Sequence, residues 1–510
     1  MNLLFRNNMV LIASFGVLLL LLFNQNAFCD EEPPEDPLPP SNMTLRFSPF
    51  HLTNSFVGVI ETTPNIQGNW INISTNDSFI TVCANSTNIT QNSRGLVNCS
   101  FQLGSTNENC HTSVNLTLTC LWDETVDEKG EDEDLVTFCK KLSFDDQVSG
   151  TILPTFNDAV HDSDVYYFES NGKSGFCFEV DSSSELDYKI SFDDCDWGNI
   201  NKVQLLDKHG NEISKKYRLY VTNDLTGVQY SFFMVKRKSG SSSNEISYNI
   251  NLKKVRPLLL VHGISSKPTE EHDNYITLIK RNRIAFYNIY KDVSSWDEFK
   301  PAIPFPFPWD SEIGSYESFC DGASSLNAFN NKKTQNWFLG PVIMAHSMGG
   351  LLSVKQIQIN ASFALSLNGL VCLGTPFCGS VFGNSTVGLA RYFKSFNDTS
   401  PENLIHLSRG TSYVLSRISN FPDVIRTLNY KKFIYSKIER DLYSPLCYIS
   451  GEGDGIVSYC SSNIGGTLNW SDCEGEESGL RHTIMDELVL KDYNGRHKVI
   501  YNALKNLLNQ

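Results

Sequence analysis

Five short, largely apolar runs punctuate the C-terminal half of the chain: Leu258 to Val261, Ile284 to Ile289, Val342 to Ala345, Leu370 to Leu373 and Leu446 to Ser450. Runs of this length without polar alternation predict strands buried on both faces. Helix-like stretches such as Leu351 to Ile359 fall between them, so the pattern predicts a parallel sheet with covering helices from about Pro257 onward. Upstream the period changes to two. Tyr248-Asn249-Ile250-Asn251-Leu252 alternates strictly, and Val165 to Phe168, Phe176 to Val180 and Val203 to Leu206 are strand-like, separated by turn signals such as Lys208-His209-Gly210-Asn211. Residues 148–255 therefore read as a β-sandwich-like domain. Residues 42–147, where runs such as Phe79-Ile80-Thr81-Val82 are set among Asn, Ser, Thr and Gly clusters, read as a further β-rich, cysteine-containing region. The acidic stretch Asp123 to Asp134 reads as a solvated loop rather than a cation site.

The first 41 residues do not join this pattern. Residues 1–29 carry Arg6, an apolar run from Met9 to Phe23 and then Ala27-Phe28-Cys29, the order of a secretory signal cleaved near Cys29. A retained signal anchor is the alternative, although the run is short for a bilayer. Residues 30–41, acidic and proline-rich, form an extended tether. Sequons begin at Asn42, Asn72, Asn76, Asn85, Asn88, Asn98, Asn115, Asn360, Asn384, Asn397 and Asn469, in keeping with a glycoprotein of an extracellular, lysosomal or endoplasmic-reticulum lumen. The 14 cysteines are dispersed, without paired CxxC spacing, and read as structural disulfides rather than a zinc site. Loss of Cys29 leaves an odd number, hence a free thiol or an intermolecular bridge. A net charge of -15 opposes a nucleic-acid partner.

The strand Pro341 to Ala345 runs into His346-Ser347-Met348-Gly349-Gly350 and then a helix. Small residues on both sides of a serine at a strand-to-helix turn are what a nucleophile elbow needs, because neighbouring backbone presses close; Ala345 stands where glycine is usual. Asp454, glycine-flanked after the run Cys447 to Ser450, is the candidate orienting acid, with Glu452 and Asp310 as its competitors. His482, just before the terminal helical segment, is the candidate base. The order Ser347, Asp454, His482 suits a triad in which imidazole takes the serine proton and carboxylate fixes its tautomer. His497 reads as solvated and His262 as structural; His346 and His406 are poorly placed for a base approaching from a separate loop.

Leu260-Val261-His262-Gly263-Ile264, Ala345-His346-Ser347-Met348-Gly349 and Gly374-Thr375-Pro376-Phe377-Cys378-Gly379-Ser380 resemble, in that order, the motifs of lipase-like serine hydrolases of the α/β-hydrolase superfamily. Lecithin-cholesterol acyltransferase-like and GPI inositol-deacylase-like proteins share the pattern. The resemblance covers residues 256–510 and implies an α/β-hydrolase fold, with a mostly parallel sheet, behind the β-rich modules. It implies an oxyanion hole from the backbone of Ile264 and Met348, and no cofactor or metal. The segment Gly374 to Ser380 would form the floor of the site, and residues 380–444 a cap or lid insertion. The expected activity is hydrolysis of carboxylic esters, lipid esters foremost, through an acyl-enzyme, with a membrane-surface substrate within its scope. Two enzyme alternatives are a GPI-anchor or glycolipid deacylase and an acyltransferase. An adhesion glycoprotein with an inactive hydrolase domain is the alternative of another class. The region 148–255 also resembles the pre-peptidase C-terminal type of β-sandwich.

Overall fold

A computed structural model describes residues 44–46, 70–71, 82–93, 96–105, 113–123, 135–152, 163–192, 197–238, 245–263, 266–267, 283–309, 316–377, 428–437, 473–481 and 484–510. The chain divides into two units, Met1–Lys140 with Asp193–Asp196, and Lys141–Phe192 with Trp197–Gln510. In the first unit the described elements are strands: β1 (Thr44–Arg46), β2 (Trp70–Ile71), β3 (Val82–Ser93), β4 (Leu96–Ser105), β5 (Ser113–Asp123) and β6 (Leu135–Lys141). Strands β2 to β6 pair in sequence order, antiparallel throughout, and β1 adds to β6 in parallel.

The second unit opens with β7 (Gln147–Ile152), β8 (Ser163–Glu169), β9 (Phe176–Ser182), β10 (Leu186–Phe192), β11 (Gly198–Asn199), β12 (Asn201–Leu206), β13 (Glu212–Val221), β14 (Tyr230–Arg237) and β15 (Ile246–Lys254). They form two antiparallel layers, β11-β10-β14-β8 and β12-β13-β9-β15-β7. The alternation read in the sequence sets which side chains turn inward: Ile246, Tyr248, Ile250 and Leu252 of β15 are all buried. Aromatic rings fill the space between the layers, with Phe178 stacked on Phe233 at 4.0 Å and Phe168 edge-on to Phe176 at 4.6 Å. The inward tyrosines carry hydroxyls that need partners. Tyr248 donates to the buried Asp164 and meets the Tyr166 hydroxyl at 2.9 Å.

Val255 alone separates β15 from β16 (Arg256–Val261), the first strand of a second architecture. There follow β17 (Ser266–Lys267), β18 (Arg283–Ile284), α1 (Tyr287–Asp292), β19 (Ala302–Pro306), α2 (Tyr316–Thr334), β20 (Val342–His346), α3 (Met348–Ile359), α4 (Ala361–Ser366), β21 (Gly369–Leu373), β22 (Tyr430–Lys437), β23 (Glu474–Ser478) and α5 (Lys498–Leu508). The sheet runs β19-β16-β20-β21-β22-β23 with every pairing parallel. Its apolar runs are continuous because helices cover both faces. Leu259, Val261, Ile343 and Ala345 pack on one face with Leu326 of α2 and Leu352 of α3. Leu258, Leu260, Val342 and Met344 pack on the other with Ile289 of α1 and Leu504 and Leu507 of α5.

Several expectations are corrected. The run Ile284 to Ile289 is not a strand: β18 stops at Ile284, Phe286 turns at a φ of 58°, and α1 starts at Tyr287. Ala285, Phe286 and Ile289 are buried all the same, and an apolar run this short does not distinguish the two structures. Residues 430–437, counted with the 380–444 insertion in the sequence reading, form a central-sheet strand paired with β21. The expected strand Leu446 to Ser450 lies outside the described residues. Cys177 and Cys372, counted among the disulfide candidates, are buried thiols outside any disulfide.

The sandwich abuts the parallel-sheet domain through polar anchors. Arg218 of β13, 1% exposed, donates to the carbonyls of Trp296 at 2.9 Å and Phe299 at 2.7 Å and to the Glu179 carboxylate at 2.8 Å. Tyr220 donates to the Ser294 carbonyl at 2.6 Å, and Leu206 bonds through its backbone to Ser295 and Asp297. These carbonyls belong to the segment between α1 and β19. It has no strand or helix to satisfy its polar groups, and the sandwich does so.

Candidate active site

Strand β20 carries five fully buried residues to the sheet's carboxyl edge, where Ser347 breaks the strand before α3 begins at Met348. Ser347 has φ 55° and ψ −128°, a conformation costing a non-glycine residue on the order of 1–3 kcal/mol. Surrounding contacts hold it there. Its N–H donates to the Leu373 carbonyl at 2.9 Å, its carbonyl accepts from Gly350 N–H at 3.1 Å, and only 4% of the residue is exposed.

The glycines around it are explained by close approach. A Cβ on Gly349 would lie 2.4 Å from the Val261 carbonyl oxygen and 2.5 Å from that of His262, both backbone atoms at the end of β16. A Cβ on Gly263 would lie 2.6 Å from Ser347 Cβ and 3.2 Å from its Oγ. The carboxyl end of β16 is thus pressed against the serine. Ala345, in place of the usual glycine, is fully buried within the strand and its methyl is accommodated. The N–H of Met348, the first residue of α3, has no preceding helical carbonyl to bond.

The neighbouring groups are buried too. His262 is 2% exposed, its Nδ1 2.9 Å from the Gly263 carbonyl oxygen, its ring stacked on Trp309; the Trp309 indole N–H donates to the His262 carbonyl at 3.1 Å. Burial pushes the Cys372 thiol on the adjacent strand up to about 12, so it stays protonated at neutral pH. His346 is 2% exposed, with Nδ1 3.5 Å from Oδ2 of Asp486. Asp486 escaped the sequence reading because nothing local marks it; only the tertiary fold brings it to the elbow.

Ser347, Met348 and Gly263 therefore come together, with Gly374 and Thr375 following the neighbouring strand. Asp454, His482 and Ile264 lie outside the described residues, as do Glu452, Asp310 and His406. His497 is a correction. It is fully buried at the N-terminus of α5, with Nε2 3.8 Å from Asp492 Oδ2, and burial lowers its affinity for a proton while Asp492 raises it. On β23, Glu477 accepts from the Ile500 N–H at 2.9 Å at the start of the same helix, and burial pushes its carboxyl up to about 7. A polar cavity of about 470 Å³ lined by Asn429, Lys432, Asn502 and Asn506 opens beside the amino end of β22, the edge opposite Ser347. Among the described residues no His, Cys, Asp and Glu cluster is arranged to hold a metal, and no helix is long and apolar enough to cross a membrane.

No family model matches the chain, and no curated protein matches its sequence. Solved structures do. The mature lipase BlEst2 of Bacillus licheniformis is 16% identical, with 50% of this chain and 91% of that one covered at a TM-score of 0.35. Phospholipase PlaB of Legionella pneumophila is 14% identical over 50% and 59% at the same score. The pre-peptidase C-terminal domain of a Bacillus anthracis collagenase is 10% identical over 22% and 94% at a TM-score of 0.16.

Proposed function

We propose that the protein is an α/β-hydrolase that cleaves carboxylic esters through an acyl-serine intermediate on Ser347. The carrying observation is the strained, buried Ser347 between β20 and α3, with the carboxyl end of β16 packed so closely against it that Gly263 has no room for a methyl. A structural serine at an ordinary turn needs neither that backbone strain nor that contact. In this reading His482 removes the hydroxyl proton as Oγ attacks the ester carbonyl, and Asp454 holds the imidazole in the required tautomer. The backbone N–H groups of Ile264 and Met348 stabilise the oxyanion, and water releases the acyl group. The motif resemblance favours lipid esters as substrates. Fluorophosphonate labelling of the purified protein tests it: wild type takes the label at Ser347 and Ser347→Ala does not. Equal labelling of both proteins rejects the reading, and an unlabelled wild type that turns over no ester favours the adhesion alternative.

We also propose passage through a secretory lumen. Supporting it, the sequon Asn360-Ala361-Ser362 sits on an accessible turn: Ala361 and Ser362 are exposed, while Asn360 caps α4 by accepting from the Phe363 N–H at 2.9 Å. Glycopeptide mass spectrometry of the protein from a eukaryotic host reads this directly. Protein that stays in the cytosol of that host with its Asn360 peptide unmodified contradicts it.

A further inference from the structure

Behind the elbow, two buried ionisable groups from distant parts of the sequence face each other. His346 is the last residue of β20 and precedes Ser347; Asp486 lies in the segment between β23 and α5. Asp486 is 1% exposed and flanked by Met485 and Leu488, both fully buried in the core on that face of the sheet. A carboxylate in such a place is costly unless a cation or hydrogen-bond donor meets it. At 3.5 Å from Oδ2 the His346 Nδ1 is within ion-pair reach of the carboxylate, and a protonated ring meets it as an opposite charge rather than through a formed hydrogen bond. The Asp486 segment is itself anchored. Ile484 N–H donates to the Arg481 carbonyl, Glu487 N–H to that of Ile484, and the Asn288 side chain to the Glu487 carbonyl at 3.0 Å. The pair thus fastens the residue before the nucleophile to a braced piece of chain on the far side of the sheet.

We infer that Asp486 is a positioning residue for Ser347, acting through His346; this rests on the reading of Ser347 as a nucleophile. The contact of Asp486 is with the residue before Ser347. By fixing the His346 ring it fixes the backbone that enters the strained turn, and with it the direction of Oγ. Misplacement of a nucleophile by about 1 Å slows reaction by orders of magnitude without altering how an ester is bound.

The test is a double-mutant cycle with Asp486→Asn, His346→Gln and the double variant. It is read by the rate of fluorophosphonate labelling and by kcat and KM for p-nitrophenyl butyrate. Expected are a roughly tenfold fall in labelling rate and in kcat for Asp486→Asn, an unchanged KM, and a double variant no slower than the slower single. Losses that multiply in the double variant, or wild-type kcat in Asp486→Asn, overturn the inference. If Asp486→Asn does not fold, His346→Gln alone must show the fall in kcat at constant KM, and wild-type kcat in it is equally fatal. An unlabelled wild type overturns the Ser347 reading instead, so the two failures are distinguishable.

Discussion

Around Ser347, each small residue answers to a named obstacle. Gly349 faces two backbone carbonyls that cannot rotate away, so Gly349→Ala should lose about 1–3 kcal/mol in urea unfolding and most of its labelling by fluorophosphonate. His482→Ala and Asp454→Asn should each cut ester turnover on the order of a thousandfold while leaving the unfolding midpoint near wild type; wild-type turnover in either removes that residue from the triad. The elbow was legible in the sequence because turn chemistry is local: strain at one serine forces small neighbours, and those neighbours are adjacent in the chain. His497 and Asp486 were not legible, because whether a polar residue is solvated depends on what packs over it. His497 stands beside Arg496 and Lys498 and looks like surface, yet the helix it opens lies on the sheet and takes it inside.

Strands β16, β20 and β21 could be read from their apolar runs; the lysine-bearing β22 and the two edges could not. Strand β19 contains Pro304 and Pro306, which an edge position tolerates and a central one does not. Strand β23 reads Glu474-Gly475-Glu476-Glu477-Ser478, the composition of a loop, and is held by β22 and by the start of α5. Its Glu477 gives the element a pH signature. With a folded value of about 7 against 4.5 for the free carboxyl, the folded state holds the proton longer. Its stabilising contribution is complete below pH 4.5 and is lost as pH rises through 7. His497 acts in the opposite sense, being held neutral in the fold and costing stability as pH falls below its ordinary 6.5. Glu477→Gln isolates the first effect, since His497 is common to both proteins. The variant should gain thermal midpoint relative to wild type between pH 5 and pH 8; a constant difference across that range refutes the assignment.

Across the second unit, a boundary that looks like a domain border in the sequence is a continuous structure. The change from period-two alternation to solid apolar runs near Pro257 coincides with the step from β15 to β16, but periodicity carries no information about what two sheets share. They share Arg218, whose guanidinium satisfies groups of the sandwich and of the 294–299 segment together. Arg218→Ala should cost about 3–5 kcal/mol, leaving the Glu179 carboxylate and two carbonyls without their donor. Calorimetry of residues 141–510 should show one transition, and residues 256–510 alone should fail to fold; a second separate transition would refute this coupling.

Arg218 is also an appointment in time. It leaves the ribosome well before Ser294, Trp296 and Phe299, so a sandwich that folds as it emerges does so around a guanidinium whose carbonyl partners are still unsynthesised. Until they arrive, Glu179 is the partner already made, and the two terminal guanidinium nitrogens wait for theirs. Translation speed between codons 218 and 299 therefore sets how long those nitrogens go without their acceptors.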